Sequence, residues 1–372
     1  MKILIIHGGE IKCPGGVYKT VRETAKYLAE MGHDVVLLQE NPSNLSKEEY
    51  YEGFNVVRVK NRFDLYGLNI QIYFYLKNHF KDLNPDVIHV HGYHSLFSVE
   101  IIYLVKKIDP NIPIVFSPHF GILSHNTLAG KYLSGTYNNI IGKKNINLVD
   151  KIIAASEFEA KNVIGLLNVP ESKLTIIPHG VDKIDVIKKQ DLDGPIHLLY
   201  VGHLLKLKGV QYIINALYEL VHQKNIKVYL TVVGDGPYKK KLKKIAENYN
   251  VDKYIKWEGF VSSSNTKKLL NYYKDADMLL LLSQSENYGI VVSESLAMGT
   301  PVIVTKTTAL NEFLDEVGCF GVSYPPNPKE VADAVLNILD NYSVGPFSEK
   351  IRTWSKVAKD YEQIYLNLLG DL

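Results

Sequence analysis

Two glutamates eight residues apart, Glu286 and Glu294, are the residues best placed to do chemistry. The apolar run Met278–Leu282 ahead of them predicts a buried parallel strand. The pattern over Tyr288–Met298 predicts a helix, with Ile290, Val291, Leu296 and Ala297 on its apolar side. Gly299 closes that helix and Pro301 opens a further strand, Val302–Thr305. Glu286 then falls in the strand-to-helix loop and Glu294 inside the helix. Eight helical residues rise roughly 12 Å and turn about 80° past two full turns, so both carboxylates face one side. The free N–H groups of the helix start lie near Glu286 and attract a phosphate. Carboxylates on either side of a bound diphosphate can hold hydroxyl-rich groups, the layout of a nucleotide sugar. Two Glu at this spacing are by themselves more often a helix-start acid and a solvated residue. The surrounding residues must decide.

Two glycine-rich strand-to-helix loops add to the case. Lys2–His7 reads as a first strand, followed by His7-Gly8-Gly9 and Cys13-Pro14-Gly15-Gly16, then the helix Val17–Met31. The opening is Rossmann-like, with backbone N–H groups able to approach a phosphate. It lacks G-x-G-x-x-G, so nicotinamide binding gets little support. A second such unit starts with the strand Ile196–Val201, the loop Gly202–Gly209 and the helix Val210–Val221. That loop carries His203, Lys206 and Lys208, and lysine charge beside a helix start makes a phosphate site.

Other chemistry-bearing residues are weaker. His91 and His119 follow strand-like runs at the ends where ligands bind in parallel sheets, yet each alone reads as a satisfied structural histidine. Asp191-Leu-Asp193 and Asp275-Ala-Asp277 have D-x-D spacing. The latter pair precedes the buried strand on its amino side, and both read as structural.

The elements that position these residues alternate along the chain. Strand patterns fall at Val35–Leu38, Phe54–Lys60, Val87–His91, Ile112–Ser117, Lys151–Ala155 and Leu174–Ile177, with helical patterns at Asn69–Asp82, His94–Ile108, Asn126–Asn147 and Glu157–Leu167. Such alternation predicts parallel sheets covered by helices on both faces. At 372 residues, two domains are expected. The polar stretch 183–195, ending in Gly-Pro, reads as the linker between domains 1–182 and 196–351.

Composition narrows the class. A net charge of +2 and a charged fraction of 22% suit a soluble enzyme and argue against a nucleic-acid partner. Residues 1–180 carry 19 Lys/Arg against 17 Asp/Glu, so neither half is a basic module. Cys13 and Cys319 stand far apart, which fits a reducing compartment rather than a disulfide framework or zinc site. No apolar run approaches the roughly 20 residues that span a bilayer.

Glu286, Tyr288-Gly289, Glu294 and Leu296-Ala-Met-Gly299-Thr-Pro301-Val302 together resemble the E-x7-E signature of glycosyltransferase family 4, retaining sugar-nucleotide transferases of α/β GT-B fold. The resemblance runs through nearly the whole chain. Pro14-Gly15-Gly16-style spacing before the first helix is similar to the family's N-terminal motif. Gly202-His203 through Lys208-Gly209 is similar to G-R-x-x-x-x-K-G, with His203 where Arg is usual. Gly234-Asp-Gly-Pro237 is a further landmark, and Ile177-Pro178-His179-Gly180-Val-Asp182 resembles the hinge-side motif, where Asn often precedes Gly.

The resemblance implies two Rossmann-like domains facing each other across a cleft, with a tail, about 352–372, returning to the first. It implies sugar transfer from a nucleotide-sugar donor with retention, without metal or cofactor. Its catalytic residues are implied to be His119, Glu286 and Lys208. Donor contacts are implied for Gly15, Gly16, Gly202, His203, Lys208, Glu286, Tyr288, Gly289, Ile290 and Glu294. The acceptor is a sugar, lipid-linked or small-molecule hydroxyl, met through 121–144, where Tyr132, Tyr137, Lys143 and Lys144 suit a lipid surface equally. A cytoplasmic protein touching the inner membrane face is expected. Alternatives of other classes are a nucleotide-sugar epimerase of the same architecture and a non-catalytic sugar-nucleotide-binding protein.

Overall fold

The chain is seen in a computed structural model that describes residues 1–13, 15–41, 44–60, 70–93, 96–120, 142–182, 194–262, 265–341 and 350–370. The expected linker (except 194 and 195), Asp191 and Asp193, and the acceptor stretch 121–141 with Tyr132 and Tyr137 lie outside the described residues. Two compact units are present, Met1–His179 with Trp354–Leu372, and Gly180–Thr353.

In the first unit the strands are β1 (Lys2–His7), β2 (Asp34–Glu40), β3 (Glu48–Tyr51), β4 (Phe54–Val59), β5 (Val87–His91), β6 (Ile114–Ser117), β7 (Lys151–Ala154) and β8 (Leu174–Ile176). Among the described residues they form one sheet in the order β3-β4-β2-β1-β5-β6-β7-β8, parallel except for β3. The helices are α1 (Gly16–Glu30), α2 (Ile70–Leu83), α3 (Leu96–Ile108), α4 (Lys143–Ile146) and α5 (Glu157–Leu167). Central strands are buried along their length, as in β1 and β5. That explains apolar runs without alternation, since helices cover both faces of a parallel sheet. The edge strand β3 has no apolar pattern because half of it faces water. It pairs with β4 through Glu52-Gly53, both at positive φ, the geometry of a type I′ hairpin turn.

The second unit holds β9 (Gly180–Val181), β10 (Ile196–Val201), β11 (Val228–Val233), β12 (Ile255–Gly259), β13 (Met278–Leu281), β14 (Val302–Thr305), β15 (Cys319–Val322) and β16 (Arg352–Thr353). Six of these form a parallel sheet, β12-β11-β10-β13-β14-β15, while β16 pairs with β9. Its helices are α6 (Val210–Tyr218), α7 (Lys239–Asn248), α8 (Thr266–Asp275), α9 (Ile290–Ala297) and α10 (Pro328–Asn341). Helix α6 runs on into a π-helical turn, Glu219–Gln223.

The last helix, α11 (Trp354–Leu369), belongs to the first unit and packs on α1. It buries Trp354, Val357, Ala358, Tyr361 and Tyr365, the spacing of one helical face. The Tyr365 hydroxyl lies 2.7 Å from His89 Nδ1, and Glu362 meets His33 at 2.8 Å. Among the described residues no helix is long and apolar enough to cross a membrane.

Beneath α11 lies a group of buried histidines. Burial pushes His7 and His179 down to about 4 and His89 to about 3, from an ordinary 6.5. Folded values below unfolded ones mean that the stability is whole above about 6.5 and is lost as pH falls toward the folded values. The melting temperature of the first unit is therefore expected to drop between about pH 6.5 and pH 4, and less steeply in His7→Asn/His179→Asn. Equal slopes in variant and parent, measured by calorimetry across that range, would contradict this assignment.

Candidate functional site

β10 and β13 are parallel neighbours, so the loops after Val201 and Leu281 emerge side by side at the sheet's carboxyl edge. Gly209 sets how closely they approach. Its φ is 77°, and a Cβ there would stand 1.8 Å from the Leu282 carbonyl oxygen. Gln284 N–H donates to the Leu207 carbonyl at 2.7 Å, stitching the same two loops. Close backbone contact of this kind is open only to glycine.

That contact brings Lys208 and Glu286 together. Lys208 Nζ lies 2.7 Å from both carboxylate oxygens of Glu286, and both side chains are half-buried. Ser283 Oγ donates to Glu286 Oε1 at 2.8 Å. From the far side, Thr308 Oγ1 accepts the Glu286 backbone N–H at 2.9 Å. The carbonyl of Ser283 accepts from the hydroxyls of Thr305 (2.5 Å) and Thr307 (3.1 Å). Tyr200 is fully buried, and burial together with the Glu286 charge pushes its phenol well above its usual value. Its hydroxyl donates to the His203 carbonyl at 3.1 Å, steadying the loop from beneath.

Helix α9 starts at Ile290, two residues later than the apolar pattern suggested, after Gly289 with φ 101°. Glu286 therefore sits in a loop. The expectation from helical spacing does not apply to this pair, because Glu286 lies ahead of the helix. Glu286 meets Lys208 and Ser283, whereas Glu294 is buried and accepts the Tyr273 hydroxyl at 2.6 Å. Tyr288 is buried against Phe313.

The Gly202–Lys208 loop is shaped by the turn after β11. Leu204 N–H donates to the Asp235 carbonyl at 2.9 Å, and a Cβ on Gly236 would meet Leu204 O at 2.6 Å and the His203 ring at 2.7 Å. His203 itself is exposed. Asp275 and Asp277 lie at the opposite edge, where Asp277 accepts the His197 N–H at 2.7 Å.

In the first unit, His119 follows β6 in the left-handed region (φ 48°) and is buried. Its Nε2 lies 3.0 Å from His91 Nδ1. Glu159 holds this turn: its carboxylate accepts the N–H groups of Phe120 (2.5 Å) and Ala155 (2.7 Å). Burial raises Glu159 to about 7, with those N–H groups pulling the other way. Gly15, φ 140°, precedes α1, and Gly16 is its first residue.

Gly202, His203, Lys208, Glu286, Tyr288, Gly289, Ile290 and Glu294 thus share the second unit, while Gly15, Gly16 and His119 belong to the first. Sequence reasoning passed over Ser283, Thr308, Tyr273, Tyr200 and Glu159. Glu159 has a local signal, the S-x-x-E capping spacing from Ser156, whose Oγ accepts the Glu159 N–H at 3.0 Å, and Ser283 stands at the same spacing from Glu286.

Two family models together match nearly the whole chain. "Glycosyltransferase Family 4" matches residues 14–183 and "Glycosyl transferases group 1" matches residues 182–360. The chain belongs to glycosyltransferase family 4. A group 1 glycosyltransferase of this kind works with a nucleotide-sugar donor. One relative, an uncharacterized glycosyltransferase of Methanocaldococcus jannaschii, is 29% identical over 238 residues, 58% of this chain and 59% of that protein. The alpha-monoglucosyldiacylglycerol synthase of Streptococcus pneumoniae is 25% identical over 87% of this chain and 75% of its own. The solved sucrose-phosphate synthase of Thermosynechococcus elongatus superposes with a TM-score of 0.83 at 18% identity, covering 100% of this chain and 99% of its own. The glycosyltransferase has the α/β GT-B fold of such enzymes.

The close approach at Gly209 has a direct consequence. Gly209→Ala is expected to lower the melting temperature by several degrees and to weaken nucleoside diphosphate binding, because Lys208 must shift with the backbone. Gly165→Ala, with nothing within 4 Å of the added methyl, is the control and should leave both unchanged or raise stability. A Gly209→Ala protein that melts like its parent would show that the loops have room.

Proposed function

We propose that the protein is a retaining, metal-independent hexosyltransferase in which Lys208 and Glu286 act on the donor as one unit. The pairing rests on the two-oxygen contact of Lys208 Nζ with Glu286 at 2.7 Å, and the retaining, metal-independent hexosyl transfer rests on the family resemblance. A lysine ammonium has three N–H donors, and two are taken by the carboxylate. The third is left for an oxygen of the donor diphosphate, whose charge builds up as the bond to the anomeric carbon breaks. Stabilising that charge is the largest task of the reaction. N–H groups at the start of α9, from Gly289 and Ile290, and the loop at Gly202 and His203 supply further donors to the phosphates. Glu286 faces the sugar and Glu294 the ribose hydroxyls, exchanging Tyr273 for them. Tyr288 supports the α9 start.

For the first unit we keep the roles that the family resemblance implies: Gly15 and Gly16 beside the donor phosphates and His119 beside the sugar, with His91 holding the His119 ring. The acceptor is a hydroxyl of a sugar, a lipid-linked molecule or a small molecule. A lipid acceptor is supported by the diacylglycerol named in the streptococcal relative.

Three measurements test the reading on a panel of UDP-, GDP- and ADP-sugars. Glu286→Gln should lower kcat by about 10²-fold or more, while UDP, GDP or ADP binds at least as tightly as to the parent, because Lys208 is freed for phosphate. Lys208→Ala should lose that nucleotide affinity. Parent-like turnover by Glu286→Gln would sink the proposal. Turnover should also persist in excess chelator, and loss of activity that added Mg²⁺ or Mn²⁺ restores would refute metal independence.

A further inference from the structure

Backbone strain singles out a residue that neither the motifs nor the composition marks. Among the described residues, eight non-glycine residues have positive φ. Five are Asn, which tolerates this region through local side-chain hydrogen bonds. Glu52 belongs to the β3–β4 hairpin turn. The two left are His119 and Thr308. His119 is already a candidate for the site. Thr308, at φ 47°, is β-branched, the kind of side chain for which this conformation is a true outlier. Such strain persists only where the surroundings over-determine it, and it gathers at functional sites.

What Thr308 brings in exchange is its hydroxyl. Oγ1 accepts the Glu286 N–H at 2.9 Å, and the next residue, Ala309, directs its N–H to the Glu286 carbonyl at 3.4 Å. The preceding Thr305 and Thr307 hold the Ser283 carbonyl. The turn that carries Glu286 is therefore gripped at both ends by one short run, 305–309. Glycine at 308 would relax the backbone and lose the acceptor; serine would keep it.

We propose that Thr308 is a positioning residue for Glu286, its strained backbone placing Oγ1 where it fixes the Glu286 N–H and so the direction of the carboxylate. This rests on the reading in which Glu286 faces the donor sugar. A preset carboxylate contributes through orientation, so its loss falls on kcat rather than on donor binding.

The test compares Thr308→Gly, Thr308→Ser and Glu286→Gln in the full chain, using whichever UDP-, GDP- or ADP-sugar the parent turns over fastest. Thr308→Gly should keep or raise the melting temperature and lower kcat about tenfold, with donor KM within about twofold. Thr308→Ser should stay within about threefold of the parent kcat. Parent-like kcat in Thr308→Gly overturns the proposal, and so does a loss in Thr308→Ser equal to that in Thr308→Gly. A fall of melting temperature together with kcat in Thr308→Gly makes the residue structural and also overturns it. If Glu286→Gln loses turnover while Thr308→Gly does not, only the positioning role fails. If Glu286→Gln turns over like the parent, the reading of the site fails with it.

Discussion

The ion pair between Lys208 and Glu286 is the contact around which the second unit is arranged. Its side chains keep 23% and 12% of their exposure, so it is neither a screened surface pair nor a dry one. Pairs this deep contribute little net stability, since desolvation offsets much of the attraction. Removing one partner, however, leaves the other charge half-buried beside the buried Tyr200 phenol. The arrangement thus gives geometry more than stability. It needs β10 beside β13, a glycine where two backbones touch, and a hydroxyl-rich brace after β14.

The first unit solves a related problem with buried imidazoles and one buried carboxyl group. His119 is held in a left-handed turn by the ring of His91 on one side and by Glu159, through Phe120, on the other. His89 links the same layer to Tyr365 of α11 and to Ser117. Burial keeps His89 and His91 neutral, so they act as hydrogen-bonding spacers, each ring able to donate from one nitrogen and accept at the other. The terminal helix is part of that packing, which is why its buried face carries Trp354, Tyr361 and Tyr365 rather than aliphatic residues alone.

Much of this was legible in the residues. β1, β5, β10 and β13 are buried on both faces, so their apolar runs stand out. β3 and β12 do not, because each lies at a sheet edge with one side open to water. The apolar pattern places the start of α9 two residues early because Tyr288 is buried and fits the pattern yet lies outside the helix. Lys208 and Glu286 were each singled out from local loops, but their contact was not foreseen. They are 78 residues apart, and only the strand order of the sheet brings them together. Thr308 is hidden by its distance along the chain from Glu286 and because a positive φ at Thr leaves no mark in sequence; Ser283 lies three residues from Glu286, but a lone hydroxyl gives no periodicity.

The claim that Lys208 and Glu286 act as one unit is tested most directly by a double-mutant cycle on kcat/KM with Lys208→Ala, Glu286→Gln and both together. Residues that act together are strongly non-additive. The double variant is expected to lose little more than the worse single one. Losses that add to within about 0.5 kcal/mol would mean that the two groups act independently and would contradict the account.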